Sequence, residues 1–129
     1  SEQGTAIYRN LTYHVSQKLD VSKMKQAVQY LIGEHDFSSF KSSGTSSKSS
    51  VRTIYNAQVI QEQEKIVIEL TGNGFLYNMV RIIAGTLVEV GLNSIKPEEI
   101  ETILKAKNRQ KAGKTLPPQG LFLMNVEYN

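Results

Sequence analysis

The sequence predicts a single α+β domain with a largely antiparallel sheet, on three observations. Polar and β-branched residues alternate over residues 52–60 and 65–70 around the polar turn 61–64, which is the pattern of a β-hairpin. Apolar residues recur at helical spacing in three other stretches, residues 21–32, 76–90 and 97–107. Because strands and helices are partly segregated along the chain rather than strictly alternating, the α+β class is favoured.

The size and composition of the chain fit one domain over residues 1–129 and exclude several classes of site. With 129 residues, 40% of them hydrophobic, the chain can bury one core. It has no cysteine and two histidines, which excludes disulfides and a thiolate metal site, so no metal is expected. No run approaches the roughly 18 apolar residues of a membrane span, and no targeting signal is recognisable at the start. We expect a soluble, cytoplasmic protein with no membrane partner.

The remaining elements follow from local signals. Residues 6–15 mix aromatic and β-branched side chains and predict a strand or an extended arm. Asp20 is a good N-cap for the helix at 21–32, which Gly33 is expected to end. Residues 33–40 are interpreted as a turn with two aromatic side chains, and residues 121–128 as a final strand after a Pro-Pro-Gln-Gly sequence.

A serine-rich stretch divides the chain. Residues 38–50 contain eight serines in thirteen positions, with a glycine in the middle, a composition that buries little apolar surface. Because strand-like segments follow it and one core is expected, we interpret it as a flexible loop within the single domain rather than an inter-domain linker.

The distribution of charge is more informative than the net charge of +3. No acidic residue lies between Asp36 and Glu62, or between Glu101 and Glu127. Basic residues fall in both gaps: Lys41, Lys48 and Arg52 in the first, and Lys105, Lys107, Arg109, Lys111 and Lys114 in the second. Such stretches suit a polyanion such as RNA, because phosphate neutralisation releases counterions, although solvated lysine-rich faces have the same pattern.

The helix at 76–90 contains one unusual charge. Arg81 is the only charged residue between Leu76 and Val88, and it lies away from the face predicted to be core. An arginine on so apolar a helix needs an anion, and no charged residue lies three or four positions away. The alternatives are a structural ion pair with Glu69 or Glu89, extension to water, or a role in orienting a carboxylate absent from this chain or in binding phosphate.

A self-contained active site is not apparent. The chain has two aspartates, of which Asp20 is explained as a cap. His35 and Asp36 are adjacent, but a catalytic triad is recognised by spatial geometry rather than by adjacency. The glycines at 72 and 74 lack the further glycine and lysine of a nucleotide-binding loop and are interpreted as turn residues.

Five blocks, in order along the chain, closely resemble the tRNA pseudouridine synthase A (pseudouridine synthase I) family. The most specific is GNGFLYNMVR at residues 72–81, continued by IIAGTL and then VG. The others are GEHDFSSF at 33–40, VRTI at 51–54, LKAKNR at 104–109 with Ala-Gly at 112–113, and GLFL at 120–123 with Val126 and Tyr128. The resemblance covers most of the chain and places it in the carboxy-terminal domain of the family.

The resemblance implies both activity and architecture. Members isomerise uridine to pseudouridine in the anticodon stem-loop of tRNA, act as homodimers and use no cofactor or metal. The fold implied is pseudouridine-synthase-like, with helices packed on one face of the sheet. The reaction needs the glycosidic bond broken, the base turned and a carbon–carbon bond made, and the target base must first be exposed.

Site residues carry over position by position. Arg81 matches the family arginine that pairs with the catalytic aspartate, and Phe75 and Leu76 match the apolar wall beside it. The blocks around His35, Lys41 and Arg52 match segments expected to face RNA. Together with Lys48 and the basic residues of the second stretch, they form the predicted RNA-binding set. Phe37 and Phe40 are interpreted as buried aromatics, with stacking on bases as the alternative.

Two family features are missing from the chain. Neither the Gly-Arg-Thr-Asp block that holds the catalytic aspartate nor the tyrosine-bearing strand that meets the target base occurs in it. The 129-residue chain alone is therefore predicted to be inactive. The alternatives to half of an enzyme are a non-catalytic RNA-binding module and a purely structural dimerisation domain.

Overall fold

The residues that the structure describes form a five-stranded sheet with three α-helices. The structure, a computed structural model, describes residues 5–14, 18–42, 49–116 and 121–127, the last range as backbone only. In chain order the elements are β1 (Thr5–His14), α1 (Val21–Gln29), β2 (Gly33–Asp36), β3 (Val51–Glu62), β4 (Lys65–Gly72), α2 (Met79–Gly91), α3 (Glu99–Ala106) and β5 (Leu121–Glu127). Short 3₁₀ helices lie at Ser38–Phe40 and Arg109–Lys111.

The strands pair in the order β2-β3-β4-β1-β5, and every neighbouring pair is antiparallel. β3 and β4 form the predicted hairpin, which closes through a two-residue turn with Gln63 in the left-handed region at φ 57°. The expectation of an α+β fold with a largely antiparallel sheet is confirmed.

One face of the sheet is apolar and covered by helices. The strand register sets Leu11, Ile68 and Val59 side by side across β1, β4 and β3, and all three are buried. α1 packs against β3, and α2 against β1 and α1, on this face. The adjacent row across the same strands is Asn10, Glu69 and Gln58, and it lies on the opposite face because successive side chains alternate.

α2 is buried on nearly all sides, as the sequence predicted. Eleven of its thirteen residues are buried, and the exceptions are Arg81 and Glu89. Part of the cover is residues 112–116, called here the crossing segment. The Gly113 amide donates to Thr86 Oγ1 at 2.8 Å, and the Leu116 amide donates to the Arg81 carbonyl at 3.1 Å. These bonds fix the crossing segment along the side of α2 that carries Arg81.

The boundaries of the helices differ from the predicted ones for local reasons. α1 ends at Gln29 rather than at residue 32, because Tyr30, Leu31 and Ile32 form tighter bonds to carbonyls three residues back. Gly33 then leaves the helical region at φ 114°, as expected. Asp20 caps α1 by accepting from the Lys23 amide at 3.2 Å. α2 begins at Met79 rather than at Leu76, because Asn78 is left-handed.

Residues 33–40 are not a simple turn. Residues 33–36 form β2, an edge strand paired with β3, and residues 38–40 form a 3₁₀ helix. Phe37 and Phe40 are fully buried, so burial is confirmed for both and stacking on bases is wrong. Ser39 is also buried, and its Oγ donates to the Ile103 carbonyl at 2.6 Å. The serine-rich loop therefore starts later than Ser38; residues 43–48, with Lys48, lie outside the described ranges.

Candidate functional site

The turn between β4 and α2 places an asparagine in an unusual conformation. Asn78 is the N-cap residue of α2, with φ 61° and ψ 11°, and its carbonyl accepts the first helical bond from the Ile82 amide at 2.9 Å. N-cap residues are normally extended, and their side chains accept from an amide of the first turn. The Asn78 side chain makes no such bond. Its Oδ1 and Nδ2 atoms are hydrogen-bonded to other side chains.

The Asn78 amide group joins Arg81 to Ser42 in the serine-rich stretch. Oδ1 accepts from Arg81 Nη1 at 2.9 Å, and Nδ2 donates to Ser42 Oγ at 3.0 Å. The residues three and four positions from Arg81 offer no anion, as expected from the sequence. A neutral amide oxygen three residues back accepts from the guanidinium instead, a partner that the sequence analysis did not consider.

The crossing segment holds the guanidinium at a second point. Arg81 Nε donates to the Leu116 carbonyl at 2.6 Å, while the Leu116 amide donates to the Arg81 carbonyl. The side chain and the backbone of Arg81 are thus both hydrogen-bonded to Leu116. A guanidinium has five N–H groups, so these two bonds leave three for other partners.

The positive charge of Arg81 is not matched by a carboxylate in the described part of the chain. Between residues whose placement is described, the ion pair is Lys105 with Glu101, at 3.2 Å on the exposed side of α3. Ion pairing of Arg81 with Glu69 or Glu89 is therefore wrong. Arg81 is half-buried and held by two neutral acceptors, an arrangement that suits an anion supplied from outside these residues.

Phe75 and Leu76 differ in exposure. Leu76 is 4% exposed and lies in the core, whereas Phe75 is only partly buried. The Arg9 guanidinium lies 5.5 Å from the centre of the Phe75 ring, a cation–π distance, and burial lowers the pKa of Arg9. Sequence reasoning missed Arg9. The available signal was its position two residues before Leu11, which puts an arginine on the apolar face of β1.

His35 and Arg52 contact carbonyls of the nearby backbone. His35 on β2 lies opposite Arg52 on β3. A His35 ring nitrogen lies 3.0 Å from the Ile32 carbonyl, and Arg52 Nη1 donates to the carbonyls of Ser49 and Val51. The His35 ring also meets Phe37 edge-on. Among the described residues, this histidine packs locally and is not hydrogen-bonded to a serine.

The basic residues of the second stretch fall into separate surroundings. Arg109 Nη2 donates to Thr115 Oγ1 at 3.2 Å, next to the residue that binds Arg81. Arg109 and Lys114 line one cavity of about 450 Å³ together with Glu89. Lys105 is paired with Glu101, and Lys111 lines a different cavity. Two of these basic residues are thus tied to the crossing segment beside Arg81: Lys114 is part of it, and Arg109 is hydrogen-bonded to Thr115 within it.

Asp36 is a structural group whose carboxylate is bound by Ser38. Its Oδ1 accepts from the Ser38 hydroxyl at 2.5 Å and from the Ser38 amide at 2.9 Å. These bonds, led by the hydroxyl, hold the pKa of Asp36 below its ordinary value of 3.8, and Lys107 and Lys41 add to the effect. The rejection of a catalytic pair with His35 agrees with this geometry.

The Asp36 bonds predict a pH-dependent stability difference. Because the folded pKa is lowered, the charged carboxylate stabilises the fold above about pH 3.8, and this contribution is lost as the pH falls below that value. Asp36→Asn is expected to lower the free energy of unfolding by about 1 kcal/mol at pH 7. Urea unfolding at pH 7 and at pH 3 checks this. An equal difference between the two proteins at both pH values would contradict it.

Membrane and metal features are absent from the part of the chain that the structure describes. None of the helices described is long and apolar enough to cross a bilayer. Among the same residues, no three histidine or acidic side chains come close enough to hold a metal ion.

Comparison with known proteins places the chain in a family. The profile described as tRNA pseudouridine synthase matches residues 27–129. The chain is 49% identical over 128 residues to tRNA pseudouridine synthase A of Acetivibrio thermocellus, covering 99% of this chain and 52% of that protein. It is 53% identical over 120 residues to the same-named protein of Thermoanaerobacter sp., covering 93% and 49%. It is also 53% identical over 121 residues to that of Anoxybacillus flavithermus, covering 94% and 49%.

The chain therefore spans about half the length of the curated relatives it matches. The GNGFLYNMVR block, which ends at Arg81, lies inside the region that the profile matches. From a match of this extent we conclude that the chain belongs to the tRNA pseudouridine synthase family.

Proposed function

We propose that this chain is the carboxy-terminal half of an enzyme that isomerises uridine to pseudouridine in the anticodon stem and loop of tRNA. Two findings support the assignment: the family match, and relatives named tRNA pseudouridine synthase A that are about twice as long as the matched region. The proposal includes a cytoplasmic homodimer that works without metal or cofactor.

The observation that carries the proposal is the state of Arg81. Its guanidinium is fixed by Asn78 and Leu116, both neutral acceptors, and its charge is unmatched within the described residues. The two aspartates of the chain are committed, Asp20 to capping α1 and Asp36 to Ser38. The catalytic aspartate must then come from the other half of the enzyme, and Arg81 is the group that meets it.

The three N–H groups left on Arg81 allow a two-point contact with a carboxylate. A guanidinium in this position lowers the pKa of the aspartate and keeps it ionised. An ionised, oriented aspartate serves either route of the reaction, attack on the sugar or removal of a proton. Phe75 and Leu76 form the apolar wall beside it, with Leu76 anchored in the core.

RNA contacts are proposed for the basic residues that remain accessible. Lys107 and Lys114 are exposed, and Lys41 and Arg109 are half-buried. Because phosphate contacts release counterions, tRNA affinity should fall steeply with salt. His35 and Arg52 bind backbone carbonyls, so their contribution to RNA binding depends on the ring and guanidinium atoms that those bonds leave available.

The test compares the 129-residue chain with the full-length protein on an unmodified tRNA transcript. We expect pseudouridine only from the full-length protein, since the isolated chain has Arg81 but no catalytic aspartate. Salt-dependent tRNA binding by the isolated chain is expected without turnover. Isomerisation by the isolated chain would contradict the proposal. Binding with no activity from the full-length protein would favour a non-catalytic RNA-binding module instead.

A further inference from the structure

The left-handed residue at the start of α2 contacts the arginine that the proposed function places at the active site. We infer that Asn78 is a positioning residue, which holds the guanidinium of Arg81 in the orientation that receives the catalytic aspartate. This inference rests on the proposed function and adds a second residue to its site.

The conformation of Asn78 gives the first argument. The left-handed conformation at φ 61° is uncommon for a residue other than glycine, and the N-cap side-chain bond that would stabilise the helix start is not made. The position that an N-cap side chain usually serves, the third residue of the helix, is here Arg81 itself. The Asn78 oxygen bonds the side chain of that residue instead of its backbone amide. Helix stability alone does not explain this choice.

The hydrogen bonds give the second argument. Nδ2 of Asn78 donates to Ser42 Oγ, so the amide group is oriented with Oδ1 toward Arg81. Ser42 is itself held, since its amide donates to the Tyr77 carbonyl at 3.1 Å. With Leu116 on Nε and Asn78 on Nη1, the planar guanidinium is fixed at two points, which sets the direction of its remaining N–H groups.

The chemistry of the amide gives the third argument. A carboxylate at position 78 would hold Arg81 equally well but would neutralise its charge and compete with the incoming aspartate. A glycine would accept the left-handed conformation without strain but would leave Nη1 unheld. Asparagine tolerates this conformation and provides a neutral acceptor, so the charge of Arg81 stays available.

The experiment uses the full-length protein and three variants. Asn78→Gly removes both side-chain bonds while suiting the backbone, so folding is preserved. Asn78→Asp keeps an acceptor but adds a charge. Asn93→Gly is the matched control, because Asn93 is also left-handed at φ 68° and its side chain accepts from Lys23 Nζ, in an exposed pair that does not contact Arg81. The steady-state kcat, the KM for tRNA and the melting temperature are measured for each.

We expect Asn78→Gly to lower kcat by about 10- to 100-fold, with KM and melting temperature close to those of the parent, because small misplacements of a reacting group have effects of this size. Asn78→Asp should lower kcat as well, although Arg81 keeps a hydrogen-bond acceptor at position 78. Asn93→Gly should be unchanged. In ¹⁵N-arginine spectra of Asn78→Gly, the Nη groups of Arg81 should rotate faster and their protons should exchange faster with water. The Nε proton should stay protected from exchange.

Two failures are distinguishable. If the parent forms no pseudouridine, the proposed function fails and the positioning role with it. If the parent is active and Asn78→Gly keeps the parental kcat, or loses activity only in proportion to its melting temperature, the positioning role alone is overturned.

Discussion

Replacing Arg81 with alanine in the full-length protein is expected to lower kcat/KM for pseudouridine formation by about 100- to 1,000-fold, the range for loss of one preorganised donor in an active site. Arg81 is the sole cation on α2, and Asn78 and Leu116 fix its guanidinium in place. Without it, the aspartate proposed to meet it loses both its orienting group and the charge that keeps it ionised.

Two controls separate this effect from unfolding. Arg81→Lys keeps the charge but cannot bind Asn78, Leu116 and a carboxylate at once, so most of the loss should remain. Lys25→Ala removes an exposed cation of α1 that is outside the predicted RNA-binding set, and it should leave the rate unchanged. Rates are measured at temperatures where circular dichroism shows each variant to be folded. An Arg81→Ala protein with the parental rate would show that Arg81 has no catalytic role.

Gly85→Ala is expected to be the most destabilising single-methyl change in the domain. A Cβ built on Gly85 would lie 1.6 Å from the carbonyl oxygen of Lys114, far inside contact distance. The crossing segment cannot move away easily, because Gly113 and Leu116 bind α2 on both sides of that carbonyl. We expect a loss of about 3 kcal/mol or more in the free energy of unfolding. The gain of about 1 kcal/mol in helix propensity is too small to offset it.

Gly74→Ala is the matched control for Gly85→Ala. A Cβ on Gly74 would meet only side-chain atoms of Arg52, at 3.3 and 3.5 Å, and a long side chain can shift. Its free energy of unfolding should change by less than about 1 kcal/mol. Urea unfolding measures the free energy of unfolding of both variants and of the parent. Similar stabilities for Gly85→Ala and the parent would contradict the close contact between α2 and the crossing segment.

Much of the fold could be predicted because it depends on local periodicity. The hairpin of β3 and β4 and the apolar face of α2 follow from residue spacing, and both are present. β2 was missed because it is four residues long, and its edge pairing with β3 depends on contacts distant in sequence. The crossing segment is irregular in backbone, so no periodic pattern marks it.

The sequence points to the central residue of the candidate site and not to its surroundings. Arg81 stands out as one charge on an apolar helix, and that signal survives in the structure. The partners of Arg81 could not be predicted from the sequence. Leu116 accepts through a backbone carbonyl, which any residue has, and Asn78 is placed by a left-handed backbone conformation. The basic residues of the second stretch have different surroundings, which their charges in the sequence do not report: Lys105 pairs with Glu101, while Arg109 and Lys111 line different cavities.

The pairing of Arg81 with the catalytic aspartate is tested most directly by the pH dependence of the single-turnover rate. In the full-length protein, Arg81→Gln removes the charge while keeping a side chain of similar polarity. If Arg81 lowers the pKa of the aspartate, the acid limb of the profile should move to higher pH by about 1 to 3 units. An acid limb at the same pH in Arg81→Gln and the parent would contradict the pairing.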